Sequence, residues 1–335
     1  MPTPDVIVIG GSAGAFEALY ALAGGLPATF PPSLCVSLHL PPYSRSQLPD
    51  IIRRRGALPA RYATDREPLE PGTIYVAPPD HHLLVARGFV RVVQGPREHN
   101  ARPAIDPLFR TAAVSYGPRV VGVLFSGLLD DGSAGLQAIK DQGGVTVVQD
   151  PTEALYADMP NNAIREVEID HVLRVEEMIP LLVGLSRQPV RAAAAAPSDK
   201  LKWEAAMNEW DLAALDSPAR PGAPSSFMCP HCKGSLWEDT DHGEPRFRCR
   251  TGHAWSALSL LAAQSEGLDA TLNEAFRALK EKQHLSLRLA KQARAGANTA
   301  AATHYEREAE SLDRFAHNLW KMLMEIEQGN PPQDE

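Results

Sequence analysis

A serine inside a glycine-rich turn is the first residue of this sequence that could carry chemistry. Ser12 lies in a G-x-S-x-G pattern at residues 10–14, after an apolar run and before a helix start. A sharp turn of that kind projects a serine hydroxyl at the carboxyl edge of a sheet, which makes Ser12 a candidate nucleophile. The pattern is weak by itself, because many strand-to-helix turns combine glycine with serine.

The same turn could instead hold the phosphates of a dinucleotide cofactor. That site needs G-x-G-x-x-G and an acidic residue about 20 positions later. Ser12 stands where the second glycine would be, and no acidic residue lies between Glu17 and Asp50. A nucleotide-dependent oxidoreductase is therefore the weaker alternative.

A histidine and two aspartates could complete an active site around Ser12. A serine hydroxyl is a poor nucleophile at neutral pH and needs a nearby imidazole that a carboxylate orients. His39 closes an apolar run and so falls at the sheet edge where Ser12 is expected, while Asp130 and Asp131 follow the apolar run 120–125. A surface histidine and a helix-capping aspartate are the ordinary alternatives.

Three of the four cysteines cluster late in the chain, which indicates a metal site rather than a disulfide framework. Cys229 and Cys232 form a C-x2-C knuckle, and Cys249 and His253 form a C-x3-H knuckle after a 16-residue gap. Four such ligands suit a closed, tetrahedral and therefore structural Zn²⁺ site. His231 is the rival fourth ligand, but its position next to Cys232 disfavours it. The remaining cysteine, Cys35, lies in an apolar strand and is predicted to be a buried thiol.

Short runs rich in β-branched residues alternate with helical patterns over residues 1–187. The strand candidates are 6–9, 34–40, 73–76, 89–93, 120–125, 145–149 and 171–174, and helical stretches include 15–23 and 133–142. This rhythm is typical of βαβ units. It predicts an α/β fold with a doubly wound, mostly parallel sheet.

The rest of the chain divides into three predicted parts. Residues 188–226 read as a linker that contains one short amphipathic helix, with Trp203, Met207, Trp210 and Ala214 at helical spacing. That helix packs either on the chain's own domains or on a partner. Residues 227–256 form a small zinc-ribbon-like module, and residues 257–328 a C-terminal α-helical hairpin with its turn near Gly296.

The composition is that of a folded protein. Hydrophobic residues make up 44% and charged residues 22% of the 335 residues, and the net charge is -8. This charge argues against a nucleic-acid partner, and the longest apolar runs are too short for membrane insertion. We expect a soluble cytoplasmic protein.

Several ordered motifs resemble the catalytic domain of CheB-type protein-glutamate methylesterases. They lie at residues 10–14, 77–82, 102–106, 126–136, 143–144, 149–150 and 159–160, together with the strand that ends at His39. The resemblance covers roughly residues 4–185. It implies a catalytic triad of Ser12, His39 and Asp131 that needs no cofactor for catalysis.

The resemblance also implies a substrate and partners. The expected reaction is hydrolysis of glutamyl methyl esters on the methylated cytoplasmic helices of chemoreceptors, and deamidation of glutamines is left open as a second activity. The C-terminal half is expected to recruit or regulate, and a histidine kinase, a response regulator or another chemosensory protein are candidate partners. The alternative is a catalytically altered or inactive signalling adaptor built on the same scaffold.

The sequence departs from the family pattern at the expected oxyanion region. Backbone N–H groups of Ala13 and Leu128 are the candidate oxyanion donors. Ala13 replaces a hydroxyl-bearing residue of the family's turn, and Leu128-Leu129 removes a glycine. The family's N-terminal receiver domain is also expected to be missing, since the first catalytic strand starts at about residue 5.

Overall fold

A computed structural model describes residues 3–43, 47–190, 196–216, 221–241 and 243–329. Nine strands lie in the described part of residues 3–190: β1 Val6–Gly11, β2 Ser33–Leu38, β3 Ala60–Tyr62, β4 Ile74–Val76, β5 His82–Ala86, β6 Phe89–Val93, β7 Val120–Leu124, β8 Val145–Gln149 and β9 His171–Leu173. Seven of them form one sheet in the order β3-β4-β2-β1-β7-β8-β9, and all neighbours are parallel.

Helices cover both faces of this sheet. They are α1 Ala15–Gly25, α2 Leu48–Arg55, α3 Ile105–Tyr116, α4 Ser133–Asp141, α5 Asp158–Glu166 and α6 Val175–Leu185. Successive side chains of a strand point to opposite faces. Accordingly Ile7 and Ile9 of β1 pack with α1, α2 and α6, whereas Val6 and Val8 pack with α3, α4 and α5. The predicted doubly wound α/β class is confirmed.

The strand order places the carboxyl ends of β1, β2 and β7 side by side. β1 pairs with β2 on one side and with β7 on the other, so the sheet grows in both directions from β1. Ligands of open α/β sheets bind beyond the strand ends where the winding direction switches. The chain segments that follow these three strands carry Ser12, His39 and Asp131.

Two strand predictions were wrong in detail. The run 89–93 lies outside the parallel sheet, because β6 pairs antiparallel with β5 in a separate hairpin. β2 ends at Leu38 rather than at residue 40, because Pro41 and Pro42 follow and proline does not donate to a ladder.

The predicted single helix of the linker is in fact two helices, α7 Asp199–Asn208 and α8 Leu212–Asp216. Trp210 lies between them in the left-handed region, with φ of 57°, and its indole donates to the Gln94 carbonyl at 3.0 Å. At the end of α7, the buried amide of Asn208 donates to Glu98 Oε1 at 2.6 Å. Met207 and Ala214 are buried as an amphipathic face requires, but Trp210 is exposed.

The next four strands form an antiparallel sheet, β10 Ala223–Met228, β11 Ser235–Asp239, β12 Arg246–Cys249 and β13 Ala254–Ser256. We call residues 221–256 the ribbon module. Its first strand begins at Ala223, inside the range predicted as linker. Helix α9, Ala257–Ala295, follows β13 directly.

Residues 261–329 form a second compact unit, in which the chain turns near Gly296 from α9 into α10, Thr299–Gly329. Ala309, Leu312, Ala316 and Leu323 are its buried face, whereas Phe315 is exposed. The two helices are joined by ion pairs such as Lys280 Nζ to Asp313 Oδ1 at 3.0 Å. No helix in the described part of the chain is long and apolar enough to cross a membrane.

Candidate active site

Three loops meet at the carboxyl edge of the parallel sheet. The His39 N–H donates to the Gly11 carbonyl at 3.2 Å, and the Ser12 N–H donates to the Ser126 carbonyl at 2.9 Å. The first bond fixes the loop after β2 against the turn after β1. The second fixes the loop after β7 against the same turn, so residues more than a hundred positions apart become neighbours.

His39 and Asp131 form a close pair at this edge. His39 Nε2 lies 2.7 Å from Asp131 Oδ2. The Asp131 side chain is buried, and the imidazole is 23% exposed. A carboxylate on one ring nitrogen holds the proton there, which leaves the lone pair on the other nitrogen. In this pair Nδ1 of His39 is therefore the proton acceptor.

Asp131 is held by a helix as well as by His39. The backbone N–H of Ile105 donates to Oδ2 at 2.8 Å, and that of Asp106 donates to Oδ1 at 3.0 Å. Both amides belong to the first turn of α3, whose N-terminus favours negative charge. The carboxylate thus caps α3 while it orients the imidazole.

Ser12 has looser surroundings than Asp131. It is half-buried, and a Cβ atom at Gly127 would lie 2.9 Å from its Cβ, so the loop after β7 passes directly over it. Gly14 holds the turn with φ of 73°, a conformation that favours glycine. Among the described residues we find no hydrogen bond from the Ser12 hydroxyl to His39. Catalytic hydrogen bonds are often long before substrate binds.

The two predicted oxyanion donors lie on segments next to Ser12: Ala13 follows it in the chain, and Leu128 follows Gly127, where an added Cβ would lie 2.9 Å from Ser12 Cβ. Ala13 lies in the turn before α1, which begins at Ala15 after Gly14 has turned the backbone. The Ala13 carbonyl accepts from Ser126 Oγ at 2.8 Å, while the Gly127 N–H is bonded to the Tyr156 carbonyl. Within the described ranges, the N–H groups of Ala13 and Leu128 donate to no carbonyl.

A buried ionic network lies behind Asp131. His99 Nε2 is 3.0 Å from Asp106 Oδ2, and Asp106 Oδ1 accepts the N–H groups of Gly132 and Gly135 at 3.1 and 2.7 Å. Burial by itself lowers the pKa of His99, but the charge of Asp131 and the bond to Asp106 outweigh it and raise the pKa to about 10. His99 is therefore a buried cation at neutral pH.

Glu98 extends this network. It receives Arg110 Nη2 at 2.8 Å and Arg248 Nη1 at 3.0 Å. Burial raises the pKa of Glu98, but the two arginines, Arg110 more than Arg248, overcome this and bring it to about 2. Sequence reasoning missed His99, Asp106 and Glu98 as a unit; Asp106 lay in a family motif, but nothing marked His99.

The ribbon module brings the four predicted metal ligands together. The ligand atoms of Cys229, Cys232, Cys249 and His253 all lie within 4.8 Å of one another. Cys232 Sγ and Cys249 Sγ are 3.6 Å apart, close to the ~3.8 Å that a tetrahedral zinc with ~2.3 Å bonds requires. A hydrogen bond from Cys249 lowers the pKa of Cys229. This donor set fits zinc.

His231 and Cys35 lie outside the proposed metal site, as the sequence predicted. His231 lies outside the ligand group, and its ring stacks on that of His253 with centroids 4.4 Å apart. Cys35 is buried in β2, and burial raises its pKa far above the usual range. It is therefore an unreactive thiol.

The fold and the edge geometry define the class first: an α/β protein whose serine-bearing turn adjoins a histidine–aspartate pair. The sequence model of the CheB methylesterase family matches residues 7–182. The chain belongs to the CheB methylesterase family.

Individual relatives agree with this assignment. A putative protein-glutamate methylesterase/protein-glutamine glutaminase of Leptospira interrogans is 35% identical over 184 residues, which are 55% of this chain and 95% of that protein. One from Anaeromyxobacter dehalogenans is 36% identical, over 55% of this chain and 54% of its own length. The crystal structure of the Thermotoga maritima CheB methylesterase catalytic domain matches with a TM-score of 0.53 at 29% identity, over 55% of this chain and 100% of that one.

Proposed function

We propose that the chain is a serine esterase that hydrolyses glutamyl methyl esters on chemoreceptors. The observation that carries the proposal is the 2.7 Å pair between His39 and Asp131, at the sheet edge where the Ser12 turn lies. Family membership supports the ester substrate, since relatives are named protein-glutamate methylesterases.

Each residue has a defined role in the proposed reaction. Ser12 Oγ attacks the ester carbonyl while His39 Nδ1 takes the hydroxyl proton, and Asp131 stays ionised and stabilises the imidazolium. The tetrahedral intermediate collapses, and the methoxide leaves as methanol with the proton from His39. Water, deprotonated by His39, then cleaves the acyl-enzyme to glutamate and restores Ser12.

The candidate oxyanion donors remain Ala13 and Leu128. Ala13 follows the serine in the chain, and Leu128 follows Gly127 on the loop that passes over it. Within the described residues neither N–H group donates to a carbonyl, so both are free for an oxyanion. Glutamine deamidation would follow the same path with ammonia as the leaving group, and relatives carry both activities in their names.

Exposed apolar side chains around the Ser12 turn suit a helical protein substrate. Leu128, Leu129 and Leu155 are 40%, 36% and 73% exposed. Leu155 lies over the turn, because a Cβ at Gly14 would come within 2.7 Å of its Cβ. A receptor helix that presents its ester next to apolar residues would cover this rim.

The test is methanol release from a methylated receptor fragment by the full chain and by Ser12→Ala. We expect Ser12→Ala to lose at least 1000-fold in rate, because the other groups cannot replace the nucleophile. Ser115→Ala is the matched control, since Ser115 Oγ donates to the Val85 carbonyl away from the site. Equal rates for wild type and Ser12→Ala would instead support the adaptor alternative.

We further propose a structural zinc at Cys229, Cys232, Cys249 and His253. Metal analysis of the purified chain should give one zinc per chain, and Cys232→Ser should lose it while His231→Ala keeps it. Well under one zinc in the wild-type chain would contradict the proposal. Recruitment of a histidine kinase or a response regulator by the C-terminal half, and a cytoplasmic location, stay predictions.

A further inference from the structure

The ribbon module packs directly beside the loop that carries Asp131. The His99 N–H donates to the Ala254 carbonyl at 2.9 Å, and the Ala254 N–H donates to the Arg97 carbonyl at 3.2 Å, so β13 adds to the segment around residue 98. At the end of β13, Ser256 Oγ donates to Asp130 Oδ1 at 2.7 Å. The module therefore holds the residue immediately before Asp131.

A second contact reaches the other side of Asp131. Ser259 Oγ, at the start of α9, lies 3.1 Å from His99 Nδ1, and the protonated imidazole donates there and to Asp106. Asp106 in turn fixes the loop after Asp131 by accepting the Gly132 N–H. Both flanks of the proposed catalytic acid thus depend on residues from the module or its junction with α9.

Charge balance gives an independent reason for this docking. Four carboxylates are almost fully buried behind the active site: Glu98, Asp106, Asp130 and Asp131. His99 and Arg110, which belong to the α/β domain that precedes the ribbon module, are two cations next to these carboxylates. The module adds Arg248, 3.0 Å from Glu98, and Arg246, 3.9 Å from Asp106. Without the module, the four carboxylates would face only His99 and Arg110 of these cations, and an excess of buried negative charge is unfavourable.

The proposed metal ligands are continuous with the docking strand. Cys249 ends β12, His253 immediately precedes β13, and the Cys249 N–H donates to the His253 carbonyl at 3.0 Å. The path of β13 toward Asp130 is therefore set by the knuckle that holds these two ligands. Structural metal sites of this type determine the fold of the segment around them.

We propose that metal bound by the cysteines and His253 keeps Ser256 on Asp130, and that this contact holds Asp131 in register with His39. Ser256 is a positioning residue of the active site, and the ribbon module is part of the catalytic apparatus rather than an independent domain. This inference rests on the proposed esterase function.

The first test removes the contact in the full chain. We expect Ser256→Ala to lower kcat for methyl-ester hydrolysis about tenfold with KM within twofold, because Asp131 orients the base and does not bind substrate. Ser256→Thr keeps the hydroxyl and should restore most of kcat. Ser225→Ala is the matched control, since Ser225 Oγ donates to the Leu236 carbonyl inside the module.

Two outcomes would overturn the inference: an unchanged kcat in Ser256→Ala, or equal losses of kcat in Ser256→Ala and Ser225→Ala.

The second test removes zinc with a chelator and should lower kcat at least tenfold, with recovery on addition of Zn²⁺. Full activity of the zinc-free chain would also overturn it. If the wild-type chain releases no methanol, the proposed esterase function is wrong. If the wild-type chain releases methanol and Ser12→Ala does not, the Ser256 and zinc results test only the proposed role of the ribbon module.

Discussion

The two sides of the candidate site are built in opposite ways. Asp131 is buried, bonded to His39 and to two amides of α3, and backed by a network of buried charges. Ser12 is half-buried on a turn bordered by exposed leucines. In the proposed reaction the acid side is therefore already fixed in the structure, whereas the nucleophile side would be completed by the substrate. Changes on the two sides should therefore separate into effects on stability and effects on activity alone.

The largest effect is expected for Asp131→Asn. An amide cannot hold the proton of His39 on Nε2, so we expect kcat to fall by about 1000- to 10000-fold. Because Asp131 also caps α3, the midpoint of urea unfolding should fall, while Ser12→Ala should leave it unchanged. Equal stabilities of the two variants would remove the distinction between the two sides.

The next effect concerns Arg110→Met, which removes a buried cation from Glu98. Loss of one partner of a buried ion pair costs about 3–5 kcal/mol, and we expect that loss in the free energy of unfolding by urea. Arg53→Met is the control, since its pair with Asp50 is exposed and contributes below about 1 kcal/mol. Similar losses in both variants would contradict a stabilising network on the acid side.

The pH dependence of stability tests His99 and the carboxylates that face it, Asp106, Asp130 and Asp131. In the folded chain the pKa of His99 is raised from 6.5 to about 10, so the folded state keeps a proton that the unfolded state has lost. The free energy of unfolding should fall by about 1.4 kcal/mol per pH unit as pH rises between these values. His99→Gln should remove this slope; an identical slope in the variant would place its origin elsewhere.

The smallest effect is expected on the nucleophile side. Leu155→Ser removes apolar contact with substrate and should raise KM about fivefold, which corresponds to about 1 kcal/mol, with kcat and stability nearly unchanged. Leu261→Ser, at an exposed leucine of the second unit, is the control. A fall in kcat without a change in KM would mean that Leu155 shapes the reacting geometry.

The sequence was sufficient for features set by strand ends and local spacing. Ser12, His39 and Asp131 each follow an apolar run, and parallel strands bring such positions to one edge. The clustering of Cys229, Cys232, Cys249 and His253 was likewise predictable, because two short knuckles bring these side chains together. The class of sheet was predictable from the β-branched runs, because the alternation of strands and helices is a pattern of neighbouring residues along the chain.

Features that depend on distant partners were not predictable. The spacing of Trp203 to Ala214 fits one helix, but the backbone turns at Trp210, whose indole donates to the carbonyl of the distant Gln94. His99 has no distinguishing neighbours in sequence, and its charge arises only when Asp106, Asp130 and Asp131 surround it. The contact of Ser256 with Asp130 joins residues 126 positions apart.

Asp131 both caps α3 and contacts His39, and this combination affects how homologous sequences should be compared. A descendant that gave up ester hydrolysis would still need this carboxylate at the start of α3, so selection for folding alone would retain it. Within the described residues the Ser12 side chain makes no comparable structural contact, so selection for folding alone would let this position change. Among relatives, retention of Ser12 is therefore the informative mark of a working enzyme, and retention of the aspartate by itself is not.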